Sequence, residues 1–263
     1  MPLFYIGNAT ACAAASGEYR VSGTAPSPFL FPGVRPVSES SSRPVSVDIR
    51  VLELLASKLC HDLVSPVGAI RNGLELIEEM QEDEEGGPAV GGFLGEAVKL
   101  IDHSSGQADR RLRVFRLAYG LAGRDQKGFG DARAAAAGYV EGGRTRLDWP
   151  ERVPHDMTAQ RRGVVKLVLN LVMLADEALT HGGLVSVAAD GDETAGRIIV
   201  TAAGRPGTLN PEAAAALAGT AGAEALTPRT IHAYLAGRLA ESDGFRIAVA
   251  TESSERLVFT AEW

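Results

Sequence analysis

Two long apolar stripes at helical spacing are the feature that most constrains this fold. In each stripe, apolar residues recur every three or four positions, which is the period of one face of an α-helix. The first stripe continues for about seven turns and comprises Leu52, Leu55, Leu59, Leu63, Val67, Ile70, Leu74 and Ile77. The second comprises Val90, Leu94, Ala97, Ile101, Ala108, Leu112, Phe115 and Leu121. The sequence therefore predicts two long amphipathic helices.

The residues around the stripes predict where these helices begin and end. Asp48 is the N-cap candidate of the first helix. Gly86-Gly87-Pro88 stops this helix after an acidic run, and the second is predicted to reach about Gly123. Helices joined by so short a turn pack as an antiparallel hairpin, here residues 46–124. Because one hairpin cannot bury both stripes alone, we expect two copies to form a homodimeric four-helix bundle.

Beyond residue 144 the pattern changes to a mixture of strands and helices. Strands are predicted at 144–149, 184–188, 197–201, 245–249 and 256–260, and helices at 158–180, 210–219 and 228–241. The segment 124–144, rich in Gly, Arg and Ala, is predicted to be a loop. The predicted fold class is α+β, with residues 140–263 forming an α/β sandwich as a second domain.

Composition excludes several classes of function. The net charge is −7, which suits nucleic-acid binding poorly because that function needs basic patches. No apolar run is long enough to span a membrane, and the first thirty residues lack a secretory signal. Residues 1–45, rich in Ser, Pro, Gly and Ala, are predicted to be a disordered tail. Two cysteines make neither a disulfide framework nor a metal site, so we expect a cytoplasmic protein without metal.

One histidine of the first helix is predicted to face solvent. At 100° per residue, His61 lies about 170° from the centre of the core stripe. Small residues such as Ser65 and Gly68 share its outer face and leave room for another protein. The adjacent Asp62 can hold the tautomer of the imidazole or manage its proton. Pro66 follows inside the helix, where a proline lowers the stability of the helix by roughly 3 kcal/mol. A loss of this size indicates that the proline has a role at this position.

The string His61-Asp62-Leu63-Val64-Ser65-Pro66 resembles the H-box of two-component histidine kinases, an H-[ED]-L-x-x-P pattern whose histidine is phosphorylated. The wider segment 55–75 resembles the ChpT-type histidine phosphotransferases of alphaproteobacteria, and the resemblance extends diffusely over about residues 47–263. It implies a homodimer with a kinase-like hairpin and a degenerate kinase-like ATPase domain. It also implies that phospho-His61 carries a phosphoryl group from the receiver domain of a hybrid histidine kinase to receiver domains of response regulators. The Mg²⁺ would belong to the partner receiver, so the chain itself is expected to bind no cofactor.

The C-terminal half departs from the ATP-binding motifs of those kinases. Their N-L-x-x-N-A helix matches residues 170–175, so Leu174 takes the place of the Mg²⁺ ligand, which must be an oxygen. Their adenine-binding aspartate matches Ala202, whose methyl group accepts no hydrogen bond. A small shift of register would instead make Asp176 or Glu177 the ligand. An active histidine kinase is therefore the alternative function, and a dimeric scaffold in which His61 is incidental is the third.

Residues on both helices are candidates for docking the partner receivers. On the first helix they are Lys58, Val64, Ser65, Gly68, Arg71 and Asn72. The level of the second helix that faces His61 is near residue 111, where Arg110 and Arg111 could attract the acidic pocket of a receiver or screen the moving phosphate. A solvated basic helix end that complements the helix dipole is an equal alternative. His103 and His232 have no metal-ligand partner at a useful spacing and are predicted to be surface or structural residues.

Overall fold

The first part of the described chain is a pair of long helices. The computed structural model describes residues 48–82, 88–121, 128–151, 162–191, 194–205 and 209–263. Helix α1 spans Ile49–Glu82 and helix α2 spans Pro88–Ala118. The side chain of Asp48 accepts a hydrogen bond of 2.8 Å from the Arg50 N–H, which confirms the predicted N-cap. Residues 86 and 87 of the predicted turn lie outside the described residues.

The two helices pack closely where α1 carries Gly73. This glycine is buried, and a Cβ atom built on it would lie 2.6 Å from Cγ1 of Ile101 and 3.3 Å from the carbonyl oxygen of Ala97, both on α2. The missing side chain therefore allows the close approach of α1 and α2 at this level. Helix α2 ends at Ala118 rather than near Gly123, and Leu121 beyond it is 78% exposed, so no packing prolongs the helix there.

The C-terminal part contains a five-stranded mixed sheet. Its strands are β1 (Thr145–Asp148), β2 (Gly183–Gly191), β3 (Gly196–Gly204), β4 (Arg246–Ser253) and β5 (Arg256–Glu262). Their order is β1-β2-β3-β5-β4, with β1 parallel to β2 and every other pair antiparallel. Alternate residues along the central strands are buried, among them Val185, Val187, Ile198 and Val200, as expected for a sheet with one face on the core.

Helix α4 forms the centre of the core. It spans Val164–Ala178, and every residue from Val164 to Ala175 is buried. It contacts α2, α3 (Phe129–Val140) and α6 (Ile231–Asp243) as well as β2, β3 and β5. Two further helices are α5 (Pro211–Leu217) and α6 (Ile231–Asp243). A helix that is buried on all sides belongs to the core, and its packing against a mixed sheet confirms the predicted α+β class.

The prediction of a loop over 124–144 is wrong for most of the segment. Residues Phe129–Val140 form helix α3, which packs against α2, α4 and β1. Its buried residues are Phe129, Ala132, Ala135, Ala136 and Val140, which recur at helical spacing. Alanine has the highest helix propensity, and small side chains let α3 lie close to its neighbours. The glycines and arginines of the segment concealed this pattern in the sequence.

The hairpin packs against helices of the C-terminal part in the described structure. Residues Ser46–Trp263 form one compact unit, in which α1 contacts α6 and α2 contacts α3 and α4. The proposed domain boundaries at 124 and 140 stay a prediction. Among the described residues, no helix has the length and apolarity that crossing a membrane requires.

Candidate functional site

His61 lies on α1 with its imidazole directed to solvent. The side chain of His61 is 88% exposed, whereas that of Asp62 is only 13% exposed. Nδ1 of His61 is 3.4 Å from Oδ1 of Asp62. A carboxylate only accepts hydrogen bonds, so this contact favours the tautomer that carries its proton on Nδ1. Nε2 then keeps its lone pair on the side of the ring away from Asp62, where it can act as a nucleophile.

The helical turn that carries His61 is supported from α2. Pro66 lies inside α1 and is buried. It has no N–H to give to the carbonyl of Asp62, the residue four positions before it. The guanidinium of Arg111 donates to that carbonyl from Nη1 over 2.7 Å. The main chain of Asp62 is thus fixed by a side chain of the neighbouring helix.

Five of the predicted docking residues lie on the same outer face of α1 as His61. Val64 is 68% exposed, Ser65 and Asn72 are exposed, and no heavy atom lies within 4 Å of a Cβ built on Gly68. Arg71 is 80% exposed and its Nε donates to Glu75 over 2.7 Å, one turn along the helix. This part of the surface can be approached by another protein without displacing a side chain of the core.

The other three predicted docking residues are engaged within the chain. Nζ of Lys58 lies 2.9 Å from Oδ2 of Asp62 and 3.1 Å from Oε1 of Glu177. Arg110 is 26% exposed and its Nε lies 3.5 Å from a carboxylate oxygen of Glu141, while Arg111 binds the carbonyl of Asp62. Their role in docking stays a prediction, and the structure adds to each an internal contact that the sequence did not indicate.

A cleft of about 780 Å³ opens beside His61, between α1 and the C-terminal elements. Its lining comprises Ser57, Lys58, His61, Asp62, Leu174, Glu177, Ala178, Thr180, Leu209, Asn210, Ala213, Pro228 and Arg229. Sequence reasoning did not place α4, α5 or the residues before α6 next to the histidine. No local spacing could have done so, because the lining comes from segments more than a hundred residues apart.

The Lys58–Glu177 pair carries strongly held charges. Burial acts to lower the pKa of the Lys58 ammonium, but Glu177 and then Asp62 outweigh it, so the pKa of Lys58 is raised. Burial likewise acts to raise the pKa of Glu177, and the opposing effects of His232 and Lys58 bring it down to about 2. Both groups are therefore ionised at neutral pH, and their attraction joins α1 to α4.

The segment 170–175 of α4 has one side chain with an oxygen atom, that of Asn170. Asn170 is fully buried and donates from Nδ2 to the carbonyls of Ala118 and Lys166. Its Oδ1 lies 3.2 Å from Nε2 of His232. Leu174 lies in the wall of the cleft and is 3% exposed. Among the described residues, no group of three or more histidine, cysteine or acidic side chains is arranged to hold a metal ion.

The chain is similar to known proteins over most of its length. The family described as histidine phosphotransferase C-terminal domain matches residues 129–255. Over 211 residues the chain is 33% identical to protein phosphotransferase ChpT of Brucella abortus (strain 2308), which covers 80% of this chain and 93% of that protein. A 1.7 Å structure of a bacterial phosphotransferase is also 33% identical, with a TM-score of 0.66 over 83% of this chain and 98% of its own. Full-length ShkA in complex with AMPPNP shares 17% identity at a TM-score of 0.38, over 80% of this chain and 45% of that one.

Proposed function

From the premise that this chain belongs to the ChpT family of histidine phosphotransferases, we propose that His61 is the residue that carries the phosphoryl group. The observation on which this rests is the exposed imidazole whose Nδ1 faces the carboxylate of Asp62. Its substrates are aspartyl phosphates on the receiver domain of a hybrid histidine kinase and on receiver domains of response regulators. These partners place the reaction in the cytoplasm, without nucleic acid or membrane.

The proposed reaction uses Nε2 of His61 as the nucleophile. Its lone pair forms a bond to the phosphorus of the partner's aspartyl phosphate, and the P–O bond to the aspartate breaks with its electron pair leaving on the carboxylate. The proton on Nδ1 stays with the ring, and the negative charge of Asp62 stabilises the positive charge that the ring acquires. The reverse step delivers the phosphoryl group to an aspartate of the second receiver.

The surface around the histidine supports the approach of a receiver domain. Val64, Ser65 and Gly68 present little bulk on the helix face that carries the ring, and Arg71 and Asn72 offer polar groups about three turns beyond His61 along α1. We assign docking to this face together with Lys58, Arg110 and Arg111. In-line transfer depends on positioning and on neutralising charge more than on covalent machinery. The Mg²⁺ of the reaction belongs to the partner receiver.

The residues at the kinase-like motif positions of this chain speak against an ATP–Mg²⁺ site. A hard cation needs oxygen ligands, and the kinase-like position on α4 is occupied by Leu174. The amide oxygen of Asn170 is already engaged by His232. Ala202, at the position of the adenine-binding aspartate, is fully buried on β3 and has no polar side-chain atom. These observations favour a phosphotransferase that receives its phosphoryl group from another protein rather than from ATP.

A homodimer is supported by apolar residues that the single chain leaves exposed. On α1 and α2 they include Leu52, Val67, Leu74, Leu94, Val98 and Leu112, each more than 40% exposed. At 100° per residue, each helix holds its members of this set within an arc of about 60°, and the antiparallel arrangement brings both arcs to one side of the hairpin. Burying this side against a second copy completes a four-helix bundle, and His61 lies on the opposite side of α1.

A relay assay tests the proposed function. A receiver domain phosphorylated on its aspartate is mixed with the full chain and a second receiver, and the label is followed over time. We expect His61→Ala to abolish both the phosphoprotein and the transfer, and the matched variant His103→Ala, at an exposed histidine of α2, to leave them intact. Transfer that continues in His61→Ala would support the alternative of a dimeric scaffold in which His61 is incidental. Phosphorylation of the chain by ATP alone would support the alternative of an active histidine kinase.

A further inference from the structure

The side chain beside His61 is held by a lysine that also contacts the C-terminal half. Lys58 and Asp62 lie one turn apart on α1, and the Lys58 ammonium is 2.9 Å from Oδ2 of Asp62. The other oxygen of Asp62 faces Nδ1 of His61 at 3.4 Å. The same ammonium is 3.1 Å from Glu177 in the last turn of α4. A change in the position of Glu177 is therefore transmitted to Asp62 through one charged group.

Glu177 is held in turn by a buried histidine of α6. Its Oε2 lies 3.2 Å from Nδ1 of His232, a side chain that is 1% exposed. Nε2 of His232 lies 3.2 Å from Oδ1 of Asn170. The amide of Asn170 is oriented by its two carbonyl contacts, so its oxygen must face the ring. Nε2 of His232 thus faces the oxygen of Asn170, while Nδ1 lies beside Glu177 as an ion-pair contact rather than a hydrogen bond, so the buried ring stands directly behind Glu177.

This chain of contacts is unequally accessible. His232 cannot touch an incoming protein, while Lys58, with a side chain 21% exposed, and Glu177, at 32%, line the cleft next to His61. A surface lysine on a helix normally samples several rotamers, which costs free energy when one is selected. Two carboxylates on opposite sides select one position for the Lys58 ammonium. The conformation of Asp62 then depends on residues of α4 and α6 as well as on those of α1.

We propose that Glu177 and His232 are positioning residues for phosphotransfer: they hold Lys58, which holds Asp62 in the conformation that keeps the proton of His61 on Nδ1 and leaves Nε2 free to attack phosphorus. This inference rests on the proposed role of His61. In this arrangement the C-terminal half assists phosphotransfer without binding a nucleotide. None of the three side chains forms a bond to the phosphoryl group; in the chemical step they act through Asp62.

The test uses the full chain and a phosphodonor that needs no docking surface. Phosphoramidate transfers its phosphoryl group to Nε2 as its P–N bond breaks and ammonia leaves. We expect Glu177→Gln to slow the phosphorylation of His61 about three- to tenfold. In the NMR spectrum of ¹⁵N-histidine-labelled protein at about pH 9, it should also raise the fraction of His61 with its proton on Nε2. The matched control is Glu75→Gln, the same change at a carboxylate of α1 that pairs with Arg71.

The outcomes separate this inference from the proposed function. If Glu177→Gln matches Glu75→Gln in both rate and tautomer ratio, the positioning role is wrong, while loss of relay in His61→Ala still supports the function. Slower transfer from a receiver with an unchanged phosphoramidate rate would make Glu177 a docking contact and would also overturn the inference. Should Glu177→Gln not fold, Lys58→Gln removes the other end of the pair and must produce the same two changes.

Discussion

The guanidinium of Arg111 on α2 donates a hydrogen bond of 2.7 Å to the main-chain carbonyl of Asp62 on α1. In a regular α-helix this carbonyl accepts from the N–H four residues further on, and here that residue is Pro66, which has none. Arg111 therefore supplies from outside the helix the donor that proline removes from within it. The contact is made at the residue next to His61, so α2 helps to fix the turn on which the histidine stands.

This relationship predicts that the effects of changing Arg111 and Pro66 are coupled. Arg111→Met should lower the free energy of unfolding by roughly 1–2 kcal/mol, because the carbonyl of Asp62 loses its donor. Pro66→Ala restores an N–H to the helix, so the same arginine change should cost less in that background. Urea unfolding of the four proteins gives the coupling energy. Arg113→Met, at an exposed arginine nearby, is the control, and strictly additive effects would contradict the prediction.

Two glycines of α1 predict opposite changes in stability. Nothing lies within 4 Å of a Cβ on Gly68, so Gly68→Ala should raise the free energy of unfolding by about 0.5–1 kcal/mol through helix propensity. A Cβ on Gly73 would lie 2.6 Å from Ile101. Gly73→Ala should therefore lower the free energy of unfolding by roughly 1–2 kcal/mol, because the helices must move apart. Chemical denaturation of both variants measures the sign of each change in the free energy of unfolding. Two changes of the same sign would show that the packing of the hairpin is not as described.

The exposed apolar side of the hairpin predicts a difference between two leucines of α1. Leu74 is 49% exposed and belongs to that side, whereas Leu76 is 47% exposed and lies about 160° around the helix. Leu74→Glu should convert the dimer to monomer because it places a charge in the proposed interface. Leu76→Glu should leave the mass unchanged. Sedimentation equilibrium measures both, and a wild type that is monomeric at all concentrations would rule out the proposed dimer.

The lowered pKa of Glu177 predicts how stability depends on pH. The pKa is about 2 in the folded chain against an ordinary value of 4.5, so the unfolded state binds more protons between these values. The stabilisation is therefore present above pH 4.5 and is lost as the pH falls through about 2. Between about pH 6 and about pH 3, the wild type should lose on the order of 1 kcal/mol more than Glu177→Gln, after allowing for solvent screening.

Urea titrations at a series of pH values test this difference. Asp176 acts in the opposite direction, because burial raises its pKa, and it is present in both proteins. The contribution of Asp176 to the pH dependence of stability depends on the charge of Glu177. The difference between the two proteins therefore measures the effect of the local group of charges rather than that of one carboxyl group. Parallel pH profiles for the two proteins would mean that the contacts of Glu177 with Lys58 and His232 contribute no net stability.

Elements with a strong local signal were predictable. The apolar period of α1 and α2 extends over many turns, and the strands β2, β3, β4 and β5 are short runs rich in β-branched and apolar residues, so neighbours along the chain suffice to identify them. Helix α3 was missed because its buried face consists mainly of alanine, which has helix propensity but little hydrophobic contrast with the glycines beside it. Its packing against α2 and α4 is what makes the segment a helix.

The candidate site divides in the same way. The position of His61 on the outer face of its helix, the adjacent Asp62 and the proline after them follow from spacing within eight residues of one helix. The contacts of Arg111 with Asp62, of Lys58 with Glu177, and of Glu177 with His232 join residues far apart in the chain. Local periodicity contains no information about which distant side chains meet, because that is decided by how whole elements pack. The sequence by itself thus determined which group we propose to react, and only the tertiary structure decided what holds that group in place.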